Sequence, residues 1–439
     1  MKKRDKLHAL TLALPFLIIF GTLAVSGIAF SEVSLNGSIE TENGLILKTS
    51  QLQNNMNTLG IKLEYGGDTY HLFANPELQV SALGTVSTIS ELQGVDSIAP
   101  YTISLKEAYL DIYEFILPAL DVRIGKQIVV WGTGDRINPT SNFCPADLSD
   151  LFDWGEKLGV TAFLMNLYIG DLIVTGIYSP VFTPTLLPIN FQQMAGADLG
   201  TNTLELPGRA LGETQAVAVR VNWPLFTFDF SASYYYGRYT IPVVYEVWVQ
   251  ADQSIESTKS NFPRLHVVGA DFSGSLFDLG VWGELGVFIP EPYSSKMYYN
   301  HPIDGWILTE DVASAPYVRY VLGTDYTFKN GLYVNFQFAH GFDHEIGSDQ
   351  VNDYFITRVE KSFFDDRLKI MPFTVIFTVS EWGDIANNYG LGWIPEVQFF
   401  PSDNLELSIG CYLLHGSGDN LFNNLKDDDA LFFRAKVSF

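Results

Sequence analysis

The stretch Phe226-Thr227-Phe228-Asp229-Phe230-Ser231-Ala232-Ser233-Tyr234-Tyr235-Tyr236 places an apolar or aromatic residue at every even position, and polar residues at the odd positions as far as Ser233. A helix would turn such residues around all its faces. A strand, whose side chains point alternately to opposite sides, sorts them into one apolar and one polar surface. The pattern recurs along the chain. Leu59, Ile61, Leu63 and Tyr65 alternate with Gly60, Lys62 and Glu64. Leu332, Val334, Phe336 and Phe338 alternate with Tyr333, Asn335 and Gln337, and Trp393, Val397 and Phe399 with Glu396 and Gln398.

The connections alternate too. Short turn groups stand at Gly66-Gly67-Asp68, Phe115 to Pro118, Gly170-Asp171, Trp223-Pro224, Ser275 to Phe277, Lys329-Asn330-Gly331, Asp365-Asp366 and Pro401 to Asn404. Between them lie longer polar stretches near 42–56, 80–103, 132–156, 181–212, 239–264, 289–315, 342–352, 380–388 and 415–428. Eight short turns interleaved with nine long loops require eighteen strands with both chain ends on the short-turn side. If the first hairpin fails, the number is sixteen.

Composition says what such strands face. The chain has 17% charged and 14% aromatic residues, against about 25% charged in ordinary soluble proteins. Beyond the N-terminal region it has no second apolar run of helix-spanning length. In hydrocarbon every backbone N–H and C=O needs an internal partner, which leaves helices and closed barrels as the spanning structures. The reading is an all-β, transmembrane, antiparallel up-and-down barrel.

At the N-terminus, Lys2, Lys3, Arg4 and Lys6 precede an apolar run from Leu7 to Phe30. This has the form of a secretory signal over 1–31, with Ala29 and Ser31 as the small residues before a cut at Glu32. An uncleaved helical anchor is the alternative. The remaining 32–439 reads as one barrel whose first strand starts too soon after Glu32 to admit a plug domain. Without 1–31 the formal charge of −24 becomes −27. That acidity argues against nucleic acid as a partner.

The C-terminal Phe433-Arg434-Ala435-Lys436-Val437-Ser438-Phe439 alternates to a terminal aromatic and resembles the closing signature of outer-membrane barrels. The resemblance implies that Phe439 is an assembly signal read by the barrel-assembly machinery. It also implies the bacterial outer membrane of a Gram-negative envelope, with lipid and lipopolysaccharide as surroundings.

Alternation assigns Arg123, Arg220, Arg319, Arg358, Arg434, Lys62 and Lys436 to the water-facing row. With them stand Glu64, Glu107, Asp111, Asp229, Asp271, Glu284, Asp325, Glu360, Glu396 and Glu406. Cross-strand ion pairing that solvates a wide wall is the plainer account of this mixture. A selective charge ladder is the sharper one.

Between Asp121 and Asp153 the chain reads DVRIGKQIVVWGTGDRINPTSNFCPADLSDLFD. Arg123, Gly125, Gln127, Trp131-Gly132, Asp135 and Asn138-Pro139 resemble a family of porin-like outer-membrane barrels of unknown function. More loosely, they are similar to the alginate-export barrel and the anion-selective porins, which share an R-x-G-x-Q strand. The resemblance implies a channel or transport role. Lys126 interrupts the alternation, which predicts a bulge. The segment fits a third outer loop, 132–156, folded into the lumen, although an outward-facing loop also fits. Asn138-Pro139 and Pro145 restrain it, and Phe143, Leu148, Leu151, Phe152 and Trp154 are candidates to pack against the wall. Asp135, Arg136, Asp147, Asp150 and Asp153 are the candidate constriction residues. Rings of carboxylates favour cations, so the expected preference is weakly for cations.

The functional expectation is a porin-like channel for passive diffusion of small hydrophilic or small organic solutes. Two other classes compete: a surface adhesin or structural barrel with a closed lumen, and an outer-membrane hydrolase. Nothing local to His71 or His266 supports a nucleophile and base. His340 and His344, followed by Glu345 and Asp349, offer a weak rim cation site against the reading of solvated loop charge; the acidic run Asp427-Asp428-Asp429 reads the same way. No motif calls for a cofactor. Cys144 and Cys411 read as a free pair, since Cys411 shares the lipid-facing row of Leu405, Leu407, Ile409 and Leu413. Monomer and trimer both fit the sequence.

Overall fold

The computed structural model describes residues 33–81, 86, 88–149, 155–188, 199–348 and 350–439. The expected signal segment 1–31, Asp150, Leu151, Phe152, Asp153, Trp154 and Asp349 lie outside the described residues.

The strands of the first half are β1 (Val33–Ile46), β2 (Gln51–Gly67), β3 (Tyr70–Ser81), β4 (Tyr101–Ile112), β5 (Leu120–Gln127), β6 (Val160–Ile169), β7 (Leu172–Ser179), β8 (Ala216–Leu225) and β9 (Phe228–Arg238). Those of the second half are β10 (Arg264–Leu276), β11 (Leu279–Pro290), β12 (Tyr317–Thr327), β13 (Leu332–His340), β14 (Asp353–Phe363) and β15 (Leu368–Val379). The series ends with β16 in two parts (Tyr389–Trp393 and Glu396–Ser402), β17 (Leu405–Ser417) and β18 (Ala430–Ser438). Each pairs antiparallel with its neighbour in sequence. The ring closes because β1 also pairs with β18, from Ser38 opposite Ser438 to Ile46 opposite Ala430. Closed pairing leaves no edge, as a spanning sheet requires. Among the described residues no helix is long and apolar enough to cross a membrane.

The distribution of side chains is inverted relative to a water-soluble core. Leu35, Ile39, Ile124, Phe230, Leu285, Phe336, Phe373 and Phe433 are exposed on the outward face. Ser231, Asp271, Glu284, Arg319, Asn335 and Gln337 are buried inside. Such a continuous apolar exterior is stable only against hydrocarbon.

The eight short turns fall on one side, with a shift at one of them. Trp223 and Pro224 belong to β8, opposite Phe230 and Asp229. The turn is Phe226-Thr227, so Phe226 is not the first residue of the lipid-facing row. It takes φ 57° and is 98% exposed. The long-loop side departs further from expectation. The stretch 42–56 is not a loop: β1 and β2 continue to Ile46 and Gln51, joined by a four-residue turn. Their ladder outlasts the roughly 9–11 residues needed to span the bilayer, so the tip runs on beyond it.

Three stretches read as polar loops instead form a second sheet. Its order is Gly305–Ala313, Ser294–His301, Val243–Val249, Ile255–Asn261, Thr201–Leu204. The hairpins 243–261 and 294–313 join through a parallel pairing of Val243–Val249 with Ser294–His301. Trp248 stacks on Tyr298 across that seam at 5.4 Å.

The bulge expected at Lys126 is absent, since Lys126 pairs in register with Thr161 and Ala108. The slip lies on the other side of β4, where Lys106 is skipped between Asn75–Glu107 and Pro76–Leu105. Pro76 has no N–H to donate there. A second break, at Ile394-Pro395 in β16, faces Pro372 in β15. The Trp393 indole N–H bonds the Pro372 carbonyl at 2.9 Å, which satisfies an acceptor the ladder cannot reach.

At the seam, Phe439 exchanges backbone hydrogen bonds with Gly37 at 2.8 and 2.9 Å. Its ring covers that glycine so closely that a Cβ there would meet it at 2.7 Å.

Leu285→Arg, on the lipid face of β11, is expected to cost about 2–4 kcal/mol if it lies near the midplane. Urea titration of protein refolded into vesicles measures this; a loss under about 0.5 kcal/mol would contradict the outward assignment of that row.

Candidate functional site

The alternation of β11 sends Leu285 outward and Glu284 inward, and Glu284 is 4% exposed. Its carboxylate collects five donors from the loop that leaves β5. Oε2 accepts the N–H of Thr133 at 3.0 Å, the N–H of Gly134 at 3.1 Å and Nδ2 of Asn138 at 3.3 Å. Oε1 accepts the N–H of Thr140 at 2.7 Å and its hydroxyl at 2.8 Å. Hydrogen bonds to a charged group contribute roughly 1.5–3 kcal/mol each. β11 stands six strands from β5 around the ring, so the loop reaches across the interior to this wall.

Local sequence permits that approach. Gly132 has φ +93°, and a Cβ there would meet the Glu284 carboxylate at 2.3 Å. In the facing wall, a Cβ at Gly286 would meet the Pro139 carbonyl at 2.9 Å. Tryptophan 131 and Phe143 are buried in an apolar cluster with Tyr235, Leu265 and Phe288. Ile137 enters a second cluster with Val321, Ala339, Tyr354 and Ile376.

The other residues of the 121–139 motif hold the loop's root. Arg123 bonds Asp111 through Nε at 2.6 Å and Nη2 at 3.1 Å, and lies over the Tyr109 ring at 3.9 Å. Gln127, fully buried, donates to the Ala162 carbonyl at 3.0 Å. Glu107 accepts the N–H of Ile128 at 2.9 Å, where the loop departs.

Of the constriction candidates, Asp135 and Arg136 stand together beside the wall. The Asp135 N–H bonds Gln337 Oε1 at 2.8 Å, and Gln337 Nε2 returns a bond to the Asp135 carbonyl at 3.1 Å. Arg136 adopts φ 67°. Asp147 stands apart from that pair: its carboxylate accepts from Ser149, and its backbone bridges to Leu186.

Next to Asp135 and Arg136 a cavity of about 270 Å³ runs along β13 to β18 and β1. Arg358, Arg434 and Lys436 line it together with Glu40, Glu396 and Glu406. Arg358 pairs with Glu360, Arg434 with Glu42, and Lys436 with Glu40 at 3.1 Å. Glu396 and Glu406 accept only from Gln398 and Ser408, with no cation paired to them among the described residues. Arg220 bonds Asp271 at 3.0 Å on a different part of the wall.

The loop's return limb is held by buried charge. Lys157 donates to Asp343 at 2.9 Å, and Arg319 donates to the Phe342 carbonyl at 2.7 Å and to Asp343 at 3.5 Å. Burial pushes the Asp343 carboxyl up, but Lys157 and Arg319 outweigh it and hold it below its ordinary value. Cys144 is buried, and desolvation pushes its thiol up to about 11. Both cysteines are free. His340 bonds Asp353 at 2.7 Å, and Trp382 donates to the same carboxylate. His344 lies against Phe342 instead, and no cluster of His, Cys, Asp and Glu suited to a metal occurs among the described residues.

Sequence reading placed Glu284 in the water-facing row without singling it out, and it passed over Gln337 as one polar residue of an alternating strand. The only local signal for Glu284 was a carboxylate set among small and apolar residues, L-G-V-W-G-E-L-G-V.

The chain matches no protein-family model and no curated protein. Among solved structures it is similar to OccAB3 of Acinetobacter baumannii, at 11% identity over 94% of this chain and 100% of that one, with TM-score 0.53. It is also similar to OccK11 (OpdR) of Pseudomonas aeruginosa, at 10% identity over 93% and 94%, with TM-score 0.50. These likenesses define the class of fold: a closed eighteen-stranded barrel of porin-like architecture.

Glu284→Ala strands the loop's donors. Amide exchange at Thr133, Gly134 and Thr140 is expected to accelerate by about 30-fold or more, the equivalent of roughly 2 kcal/mol; unchanged protection would show that the apolar clusters hold the loop alone. Because the Asp343 carboxyl is depressed, its contribution to stability is complete above the ordinary carboxylate range near pH 4 and disappears as pH falls through the lowered value. The difference in melting temperature between the native chain and Asp343→Asn is therefore expected to stay level from neutrality to about pH 4, then shrink.

Proposed function

We propose that the chain is a bacterial outer-membrane channel through which small hydrophilic or small organic solutes diffuse passively, and that the loop 132–156 narrows the path. The carrying observation is the charged cavity of about 270 Å³ between Asp135, Arg136 and the inner wall. Bases in that wall are neutralised by Glu360, Glu42 and Glu40, whereas Glu396 and Glu406 keep uncompensated carboxylates. Their field favours cations beside Asp135 and Arg136, hence a weak cation preference. Outer-membrane location fits the apolar exterior and the fold of the similar structures. The R-x-G-x-Q motif's resemblance to porin-like families supports the same transport reading. The role of Phe439 in assembly remains part of this proposal, alongside its packing over Gly37.

The woven outer sheet favours one competing reading, an adhesin with a closed lumen, because its edge strand exposes Trp306, Leu308 and Val312. Planar bilayers separate the two. The channel reading expects conductance from folded protein and a reversal potential of cation sign in a salt gradient. Replacing Glu396 and Glu406 together by Gln is expected to move that potential toward zero. Silence from folded, heat-modifiable protein would overturn the channel; anion selectivity would overturn the assigned role of the two carboxylates.

A further inference from the structure

On the outer side of the loop's anchor lies a second, smaller cavity of about 50 Å³, among the loop, residues 341–346 and the long-loop ends of β9 to β12. Lys157, Arg319, Asp343 and Tyr239 line it. The side chains of Lys157 and Arg319 are 5% and 6% exposed, so neither charge is solvated by bulk water. Two buried cations meet one carboxylate, a local net charge of +1, and Arg238, bonded to the Glu213 and Phe262 carbonyls, adds further positive charge to the lining.

The hydrogen-bond inventory is unbalanced in the same direction. Both Asp343 oxygens are taken, one by Lys157 and one by Arg319. Of the three N–H groups of the Lys157 ammonium, one is directed to Asp343. Arg319 spends Nη1 on Asp343 and the Phe342 carbonyl while its Nε is buried without an acceptor. The Tyr239 hydroxyl, also buried, makes no hydrogen bond of good geometry and has the Tyr317 hydroxyl as its neighbour in the lining. Its ring belongs to the apolar cluster around Phe143 and Phe288, so it cannot turn out to solvent without breaking that packing. Arg319 is held in place over the Phe288 ring at 4.1 Å.

A buried donor left unmet costs about 1–3 kcal/mol, more when it is charged. Water fits the space, since one molecule needs only roughly 10–15 Å³, but water brings as many donors as acceptors and no charge. A group that accepts several hydrogen bonds, donates none and carries one negative charge balances both the donors and the field. We propose that this cavity is a binding site for a small inorganic anion of halide size, held by Arg319 Nε, the Lys157 ammonium and the Tyr239 hydroxyl. Bound there, the anion ties the return limb of the loop to residues 341–346 and stabilises the folded cap. The site stands whether or not the pore conducts.

Bromide is the probe. Crystals of the full chain grown in sodium bromide are expected to show an anomalous peak within hydrogen-bond distance of Arg319 Nε and Tyr239 Oη; density for water alone in that cavity would overturn the proposal. In detergent solution, the melting temperature is expected to rise with sodium chloride beyond its value in sodium gluconate at equal ionic strength, because gluconate is too large to enter. A ligand that binds only the folded state stabilises it in proportion to the logarithm of its concentration above Kd. Tyr239→Phe keeps the ring and is expected to lose most of the chloride increment, whatever its effect on the baseline. A native protein indifferent to the anion, or an equal increment in Tyr239→Phe, would count against the site. The bromide measurement on the native chain decides the matter if the variant does not fold.

Discussion

In a hydrocarbon layer a backbone N–H has no water to fall back on, and every other feature of this molecule follows from that constraint. It forces each strand to pair on both sides, so β1 must meet β18, and it accounts for the ring over Gly37 that seals the seam. It also locates the irregularities. The ladder slips at Pro76, at the Pro372–Pro395 crossing and beside Pro401, where donors are missing, as well as at Gly44-Leu45 near the β1–β2 tip; a tryptophan indole supplies one of the lost bonds.

Closure creates an interior too wide for strand side chains alone to fill, and the chain fills part of it with its own loops. The loop after β5 is drawn across by five donors converging on Glu284, while Trp131, Phe143 and Ile137 bury apolar surface against the wall. The polar bonds set the position and the apolar contacts supply much of the adhesion. What stays open beside Asp135 and Arg136 is therefore shaped by an anchored element. Its electrostatics come from a wall in which bases are paired and two carboxylates are left over.

Above that anchor the balance is reversed. Lys157 and Arg319, both buried, carry more positive charge than Asp343 can neutralise. Surplus negative charge in one compartment and surplus positive charge in another gives the interior two different electrostatic environments, separated by a single loop.

Period-two alternation and turn chemistry are local properties of the chain, and they carried the barrel, its eighteen strands, the shared side of the two chain ends and the mixed charge of the lumen. They misplaced a turn at Trp223-Pro224 and a loop at 42–56, since a ladder running on into water no longer needs an apolar face. They also passed over the outer sheet, whose strands pair between hairpins distant in sequence. The candidate site was half legible: Asp135 and Arg136 could be picked from the 121–153 motif, but the residue that holds them could not. Thr133 and Glu284 are 151 positions apart. Nothing in local periodicity distinguishes Glu284 from the other inward carboxylates, because its role exists only once barrel closure brings that wall opposite the loop.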